Sequence, residues 1–257
     1  ACERGDYLLC SEKVNLGLGY GYSGGFTKYC RIPGEILAIH KRAIWEIPEG
    51  VEYEEAAVMD PICNAYKAIA QRSGLLPGEN VVIFGTGPLG LFSVQIAKIM
   101  GALNIVVVGL EEDVKVRFGV ARQLGATEVV NGSAEDVVQR CQEICGGSDS
   151  IGLVVDCAGA NICLKQAIEM VRCNGEIVRV GMGFKPVGFS INDISMKAVS
   201  IIGHMAYDAT SWRNALQLLA AGRIQVKPMI THRLGLSRWE EGFEAMANKE
   251  AIKVILT

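Results

Sequence analysis

The chain has 257 residues, half of them apolar and 21% charged, enough for one large domain or two modest ones around a packed core and unlike a disordered chain. A net charge of −3 gives no electrostatic basis for binding nucleic acid. Nine cysteines, odd in number and irregularly spaced, argue against a secreted disulfide framework and for a reducing, cytoplasmic setting, and no signal peptide opens the chain.

Residues 1–62 read as short β-like pieces and turns, with the run from Gly17 to Gly25 too rich in glycine for a regular element. Between Val81 and Leu110 the only charge is Lys98, a stretch long enough to cross a bilayer. Gly85, Gly87, Pro88, Gly90 and Gly101 break it at turn positions, so it reads as a buried strand, a helix and a second buried strand, and not as a membrane span. The first strand is 81–84. Leu89, Phe92, Ile96 and Ile99 then recur at helical spacing up to a left-handed cap at Gly101.

The alternation continues with a strand at 105–108, a helix at 114–124 closed by Gly125 and a strand at 128–130. Ser133-Ala134-Glu135-Asp136 spells a capping box that opens the next helix. A strand at 153–155, a helix at 162–171 and strands at 177–180 and 199–202 follow. Strands alternating with helices imply right-handed crossovers and a parallel sheet, and strands this uniformly apolar are covered on both faces. Further on come a helix at 211–221 capped by Gly222, a helix opened by the box Ser237-Arg238-Trp239-Glu240 and running to about 247, and a β-like end at 252–256. The fold class is therefore α/β, a doubly wound parallel sheet.

Gly85-Thr86-Gly87-Pro88-Leu89-Gly90 matches G-x-G-x-x-G between an apolar strand and an amphipathic helix, the context that gives the motif meaning. Gly85 permits the sharp turn, Gly87 lets backbone approach a pyrophosphate, and Gly90 lets the helix pack against the sheet. The helix N-terminus offers free N–H groups and partial positive charge to phosphates, and Pro88 fits the first turn without losing a hydrogen bond. Thr86 and Leu89 belong to the same loop. The coenzyme is NAD or NADP. No acid stands at the tip of the second strand, where Gly109-Leu110 lead into Glu111-Glu112-Asp113. Glu111 is the candidate for the adenosine ribose; Lys115, Arg117 and Arg122 are candidates for a 2′-phosphate.

Several segments together resemble the zinc-containing medium-chain alcohol dehydrogenases, in their polyol (sorbitol-type) and threonine dehydrogenase branch. They are Gly24-Gly25-Phe26-Thr27-Lys28-Tyr29, Met59-Asp60-Pro61, the loop Gly85 to Gly90, and Val226-Lys227-Pro228-Met229-Ile230-Thr231-His232-Arg233. The resemblance covers nearly the whole chain. It implies a Rossmann-type cofactor domain of six parallel strands, 63–204, inserted into a mostly β, GroES-like catalytic domain formed here incompletely by 1–62 and 205–257. It also implies that Asp60 stands at the catalytic zinc site and that Cys2 and Cys10 are the last two of four cysteines of a structural zinc lobe. The family's early Cys and His-Glu zinc ligands, and with them the catalytic residues, are expected ahead of Ala1, so the chain reads as N-terminally truncated and inactive alone.

The activity so implied is reversible hydride transfer between a secondary alcohol or polyol and NAD(P), with zinc as Lewis acid on the substrate oxygen. Ala158 and Gly159 after the fourth strand, and Gly181 and Met182 after the fifth, are expected along the cofactor crevice, since ligands bind beyond the carboxyl ends of such strands. In the family an edge strand such as 199–202 pairs between subunits, so the resemblance also implies a homodimer or homotetramer. Two other readings use the same fold: a non-catalytic NAD(P)-binding module and a zinc-free quinone reductase. Cys141 and Cys145 share a helix face but have no neighbouring histidine and read as buried thiols.

Overall fold

The computed structural model describes residues 7–11, 17–40 and 42–257. Its centre is a six-stranded sheet of β1 (Asn80–Phe84), β2 (Ile105–Gly109), β3 (Glu128–Asn131), β4 (Ile151–Asp156), β5 (Glu176–Arg179) and β6 (Ser200–Gly203). The strand order is β3-β2-β1-β4-β5-β6 and all neighbouring strands are parallel. The order reverses between β1 and β4, which opens a crevice beyond their carboxyl ends.

Every residue of β1, β2 and β4 is buried, because helices cover both faces. The pleat divides their side chains between two cores. Val81, Ile83, Val107, Leu153 and Val155 face one core. Val82, Phe84, Val106, Val108 and Val154 face the other. Full burial of a side chain such as Ile83 contributes about 1.5–3 kcal/mol.

Among the described residues three short α-helices precede the sheet: α1 (Gly34–Ile39), α2 (Tyr53–Ala56) and α3 (Met59–Tyr66), the last followed by a π-helical turn, Lys67–Gln71. The crossovers are α4 (Pro88–Ile99), α5 (Arg117–Leu124), α6 (Val137–Cys145), α7 (Asn161–Met170) and α8 (Ile191–Ser195). After β6 come α9 (Ala209–Ala220), β7 (Ile230–Leu234), α10 (Trp239–Ala247) and β8 (Lys253–Leu256), with β7 and β8 forming a separate two-stranded parallel sheet. Met59, Ile62 and Cys63 of α3 share a core with Leu91 and Phe92 of α4 and with Ala215 and Leu219 of α9. Among the described residues no helix is long and apolar enough to cross a membrane.

Four local expectations are corrected. The region up to residue 62 carries helices where β-like pieces were expected; among its described residues the only β contact is an isolated bridge between Leu18 and Tyr22. The box at Ser133 does not form. Glu135 Oε1 instead accepts the Asn131 N–H at 2.8 Å and Asn131 Oδ1 accepts the Ser133 N–H at 3.0 Å, closing a turn. Helix α6 therefore opens later, with Asp136 Oδ1 capping the Gln139 N–H at 3.0 Å. The box at Ser237 fails too: Ser237 lies in a 3-10 turn and α10 starts after Arg238 without a side-chain cap. The second crossover helix starts at Arg117 rather than 114, because Glu111–Asp113 form a 3-10 turn first.

Candidate functional site

The turn from β1 to α4 is fixed by three glycines with three different requirements. Gly85 has φ +103°, a left-handed value that disfavours any side chain. Its N–H continues the ladder to the Val108 carbonyl at 2.8 Å. A Cβ on Gly90 would fall on the Gly85 carbonyl oxygen. Gly87, the N-cap of α4, has an ordinary φ of −71°, and a Cβ there would point into open space. Pro88 is the first helical residue and the cap has no side chain, so the first turn presents its N–H groups outward. Thr86 is buried beneath the loop, while Gly87, Pro88 and Leu89 are half-buried at its surface.

At the β4 and β5 ends, Asp156 is fully buried and Arg179 is its register partner on the neighbouring strand. Arg179 Nη1 donates to Asp156 Oδ2 at 2.7 Å, and Nη2 donates to the Gly159 carbonyl at the same distance. Asp156 Oδ1 accepts the N–H groups of Ala158 at 3.1 Å and Gly159 at 2.8 Å. Burial pushes the Asp156 carboxyl above its usual range, opposed by the Gly159 N–H, Arg179 and the Ala158 N–H. Ala158 and Gly159 thus sit against Gly181 and Met182, and the exposed Met182 side chain forms the rim.

At the β2 end, Glu111 is exposed; its Oε2 accepts Asn131 Nδ2 at 2.6 Å and its N–H donates to Ser133 Oγ at 3.2 Å. The buried acid of this loop is Asp113, which accepts the Leu110 N–H at 2.8 Å and Arg117 Nη1 at 3.3 Å. Arg117 Nη2 donates to the Ala251 carbonyl at 2.9 Å, and Arg122 pairs with Glu128 at 3.9 Å. Of the three basic candidates for a 2′-phosphate, Arg117 is therefore engaged elsewhere, while Lys115 and Arg122 are exposed. Asp113, Asn131 and Arg179 were not singled out from the sequence. The signal available for Arg179 was a single charge inside the otherwise apolar run 177–180.

Asp60 lies in the first turn of α3 and is exposed. Asn64 Nδ2 donates to the Asp60 main-chain carbonyl at 3.0 Å and to the Asp60 Oδ2 at 3.4 Å. Burial, then the charges of Asp60 and Asp208, push the neighbouring Cys63 thiol well up, away from the thiolate a metal requires. Cys10 is half-buried and, with Tyr7, His40, Trp45, Tyr207 and Trp212, lines a cavity of about 360 Å3. Cys2 lies outside the described residues.

Residues 88–221 match the zinc-binding dehydrogenase family. The chain is 72% identical over its whole length to the zinc-type alcohol dehydrogenase-like protein YdjL of Escherichia coli (strain K12), covering 72% of that protein. The chain belongs to the zinc-binding dehydrogenase family. It is also 32% identical, again over its whole length, to a sorbitol dehydrogenase of Halalkalibacterium halodurans, covering 71% of it. Among solved structures it resembles alcohol dehydrogenase TADH from Thermus sp. ATN1, at 28% identity and a TM-score of 0.88, covering 100% of this chain and 72% of that one.

Members of this zinc-binding dehydrogenase family are oxidoreductases, and two of the family's groups can be tested against the side chains present. A dinucleotide fits: the loop before α4 has the open Gly87 face and the uncapped helix N-terminus that a diphosphate needs. Zinc does not fit the described residues by themselves. A catalytic zinc takes three protein ligands. Among the described residues no group of three or more His, Cys, Asp or Glu could hold a metal ion.

Proposed function

We propose that the chain binds NAD(P) in the crevice beyond β1, β2, β4 and β5 and serves hydride transfer between the coenzyme and a secondary alcohol or polyol. The observation that carries this reading is the β1–α4 turn, where Gly90 is sterically obligatory and the face of Gly87 is bare in front of a helix N-terminus. A diphosphate there meets the N–H groups and partial positive charge of the first turn of α4. Gly85, Thr86, Gly87, Pro88, Leu89 and Gly90 form its cradle, and Ala158, Gly159, Gly181 and Met182 line the nicotinamide end. The coenzyme supplies the redox chemistry; the protein binds and orients it. The polyol class is supported by the likeness to the sorbitol dehydrogenase.

The coenzyme is NAD. Glu111, oriented by Asn131, is an acceptor for the ribose hydroxyls and repels a 2′-phosphate, while Arg117 is held by Asp113 and the Ala251 carbonyl. Residues 63–204 act as the cofactor unit, and 1–62 with 205–257 act as the catalytic part. This division is supported by the pairs Lys227–Glu52 at 2.6 Å and Arg233–Glu54 at 2.8 Å, which link its two segments. The exposed edge strand β6 is the surface for pairing with a second copy.

Thermal melting with NAD and NADP tests the reading. Ligand at a hundred times its Kd adds about 2.7 kcal/mol, a rise of about 5–10 °C for a chain of this size. No rise with either coenzyme at millimolar concentration rejects it.

A further inference from the structure

Asp156 alone collects five donors at the end of β4. Its main-chain carbonyl accepts the N–H groups of Val180 at 2.9 Å and Gly181 at 2.7 Å. Its carboxylate accepts Ala158, Gly159 and Arg179. The two loops it gathers touch backbone to backbone: a Cβ on Gly159 would stand 2.5 Å from the Met182 carbonyl oxygen, and one on Gly181 would stand 2.7 Å from the Ala158 carbonyl carbon. Two consequences follow. The N–H groups of 158, 159, 180 and 181 are satisfied within the protein, so at these four positions the loops meet a ligand by shape and not by donating hydrogen bonds. That shape depends on one guanidinium, whose planar fork holds the Asp156 carboxylate with one nitrogen and the Gly159 carbonyl with the other.

We propose that Asp156 and Arg179 are positioning residues for the nicotinamide half of the coenzyme. They clamp the 157–159 loop to the 181–183 loop and so pre-shape that end of the crevice before the coenzyme arrives, which spares binding the loss of loop freedom. This rests on the dinucleotide reading. The diphosphate cradle at Gly85–Gly90 belongs to a different turn, and the adenosine end is formed by the β2 and β3 tips. Weakening the clamp therefore penalises one half of the ligand and spares the other. A pair that only stabilised the fold would not distinguish the halves.

The test compares NADH, followed by its fluorescence, with AMP, followed by calorimetry, on the whole chain. Arg179→Lys keeps the charge opposite Asp156 and loses the fork. The neutral double variant Asp156→Asn/Arg179→Gln removes the charges together and leaves no buried ion unpaired, so it decides the matter if the single variant does not fold. The expected result is a Kd for NADH raised about tenfold with the Kd for AMP changed less than about twofold. Equal weakening of both ligands assigns the pair a purely structural role and overturns the proposal, as does unchanged NADH affinity. A wild-type chain that binds neither ligand rejects the dinucleotide reading itself. Wild-type binding of both with indifferent variants rejects only the clamp.

Discussion

The carbonyl oxygen of Gly85 occupies the space in which a side chain on Gly90 would begin, so β1 and α4 meet there with no atoms between their backbones. Gly90→Ala must push the helix off the sheet. The overpacking costs about 1–3 kcal/mol and lowers the melting midpoint by about 3–10 °C. Gly87→Val behaves differently, because its Cβ enters open space at an ordinary φ. Its cost is the weaker N-cap alone, about 1 kcal/mol at most, yet the isopropyl group stands where the diphosphate seats, and NADH affinity falls about tenfold or more. Melting curves and NADH titrations on the two variants separate the roles. A Gly87→Val protein with wild-type affinity removes the phosphate site.

How much of this was legible depended on the range over which each feature is decided. The β1–α4 turn is fixed by backbone sterics within six residues, so Gly85, Gly87 and Gly90 announce it. The fully apolar runs of β1, β2 and β4 likewise need only their own pleat and two covered faces. Helix α3 was missed although Met59, Ile62 and Cys63 have helical spacing, because Pro61 reads as a breaker unless the helix is known to start just before it. The Ser133 box was spelled correctly, but its acid, Asp136, caps the Gln139 N–H instead while Glu135 takes the Asn131 N–H, a competition between local hydrogen bonds that spelling does not rank. Asp156 and Arg179 lie 23 residues apart and meet only through the β4–β5 register, which is a property of the sheet.

Glu111→Gln tests the choice of coenzyme. Glu111 Oε2 is held by Asn131 Nδ2 at 2.6 Å, where a carboxylate favours a ribose diol and opposes a phosphate. The amide variant loses the charge in both roles, so the preference for NADH over NADPH falls about tenfold, and Asn131→Ala moves it the same way by less. Parallel fluorescence titrations with the two reduced coenzymes give the ratio. Tighter NADPH than NADH binding by the wild-type chain contradicts the assignment of Glu111.

The thiols should divide by burial. Burial pushes Cys141 and Cys157 up to about 12 and Cys145 and Cys163 up to about 11, leaving almost no thiolate at neutral pH. Cys30 and Cys173 are exposed. A brief maleimide pulse at pH 7.5 should modify Cys30 and Cys173 and leave those four unmodified until the chain is unfolded, as read by peptide mass spectrometry. Early labelling of Cys157 would mean that the 157–159 loop opens more readily than its hydrogen bonds imply.

His204 ties the pH dependence of stability to one ring. Its Nε2 pairs with Asn64 Oδ1 at 3.1 Å, while its Nδ1 is buried without a partner. A second ring proton would sit on Nδ1 with nothing to accept it. Burial, helped by the charges of Lys67 and Arg72, lowers its pKa from 6.5 to about 4. The sign follows from proton uptake. Between those values the unfolded chain binds the proton and the folded chain does not, so stability is full above 6.5 and declines as the pH falls towards 4. The loss assigned to this group, after allowance for solvent screening of a partly exposed ring, is on the order of 1–2 kcal/mol. His204→Gln keeps a donor for Asn64 but cannot titrate, so urea midpoints of wild type and variant should converge as the pH is lowered from 7 to 4.5. Midpoints that stay parallel over that range would show that another group carries the acid sensitivity.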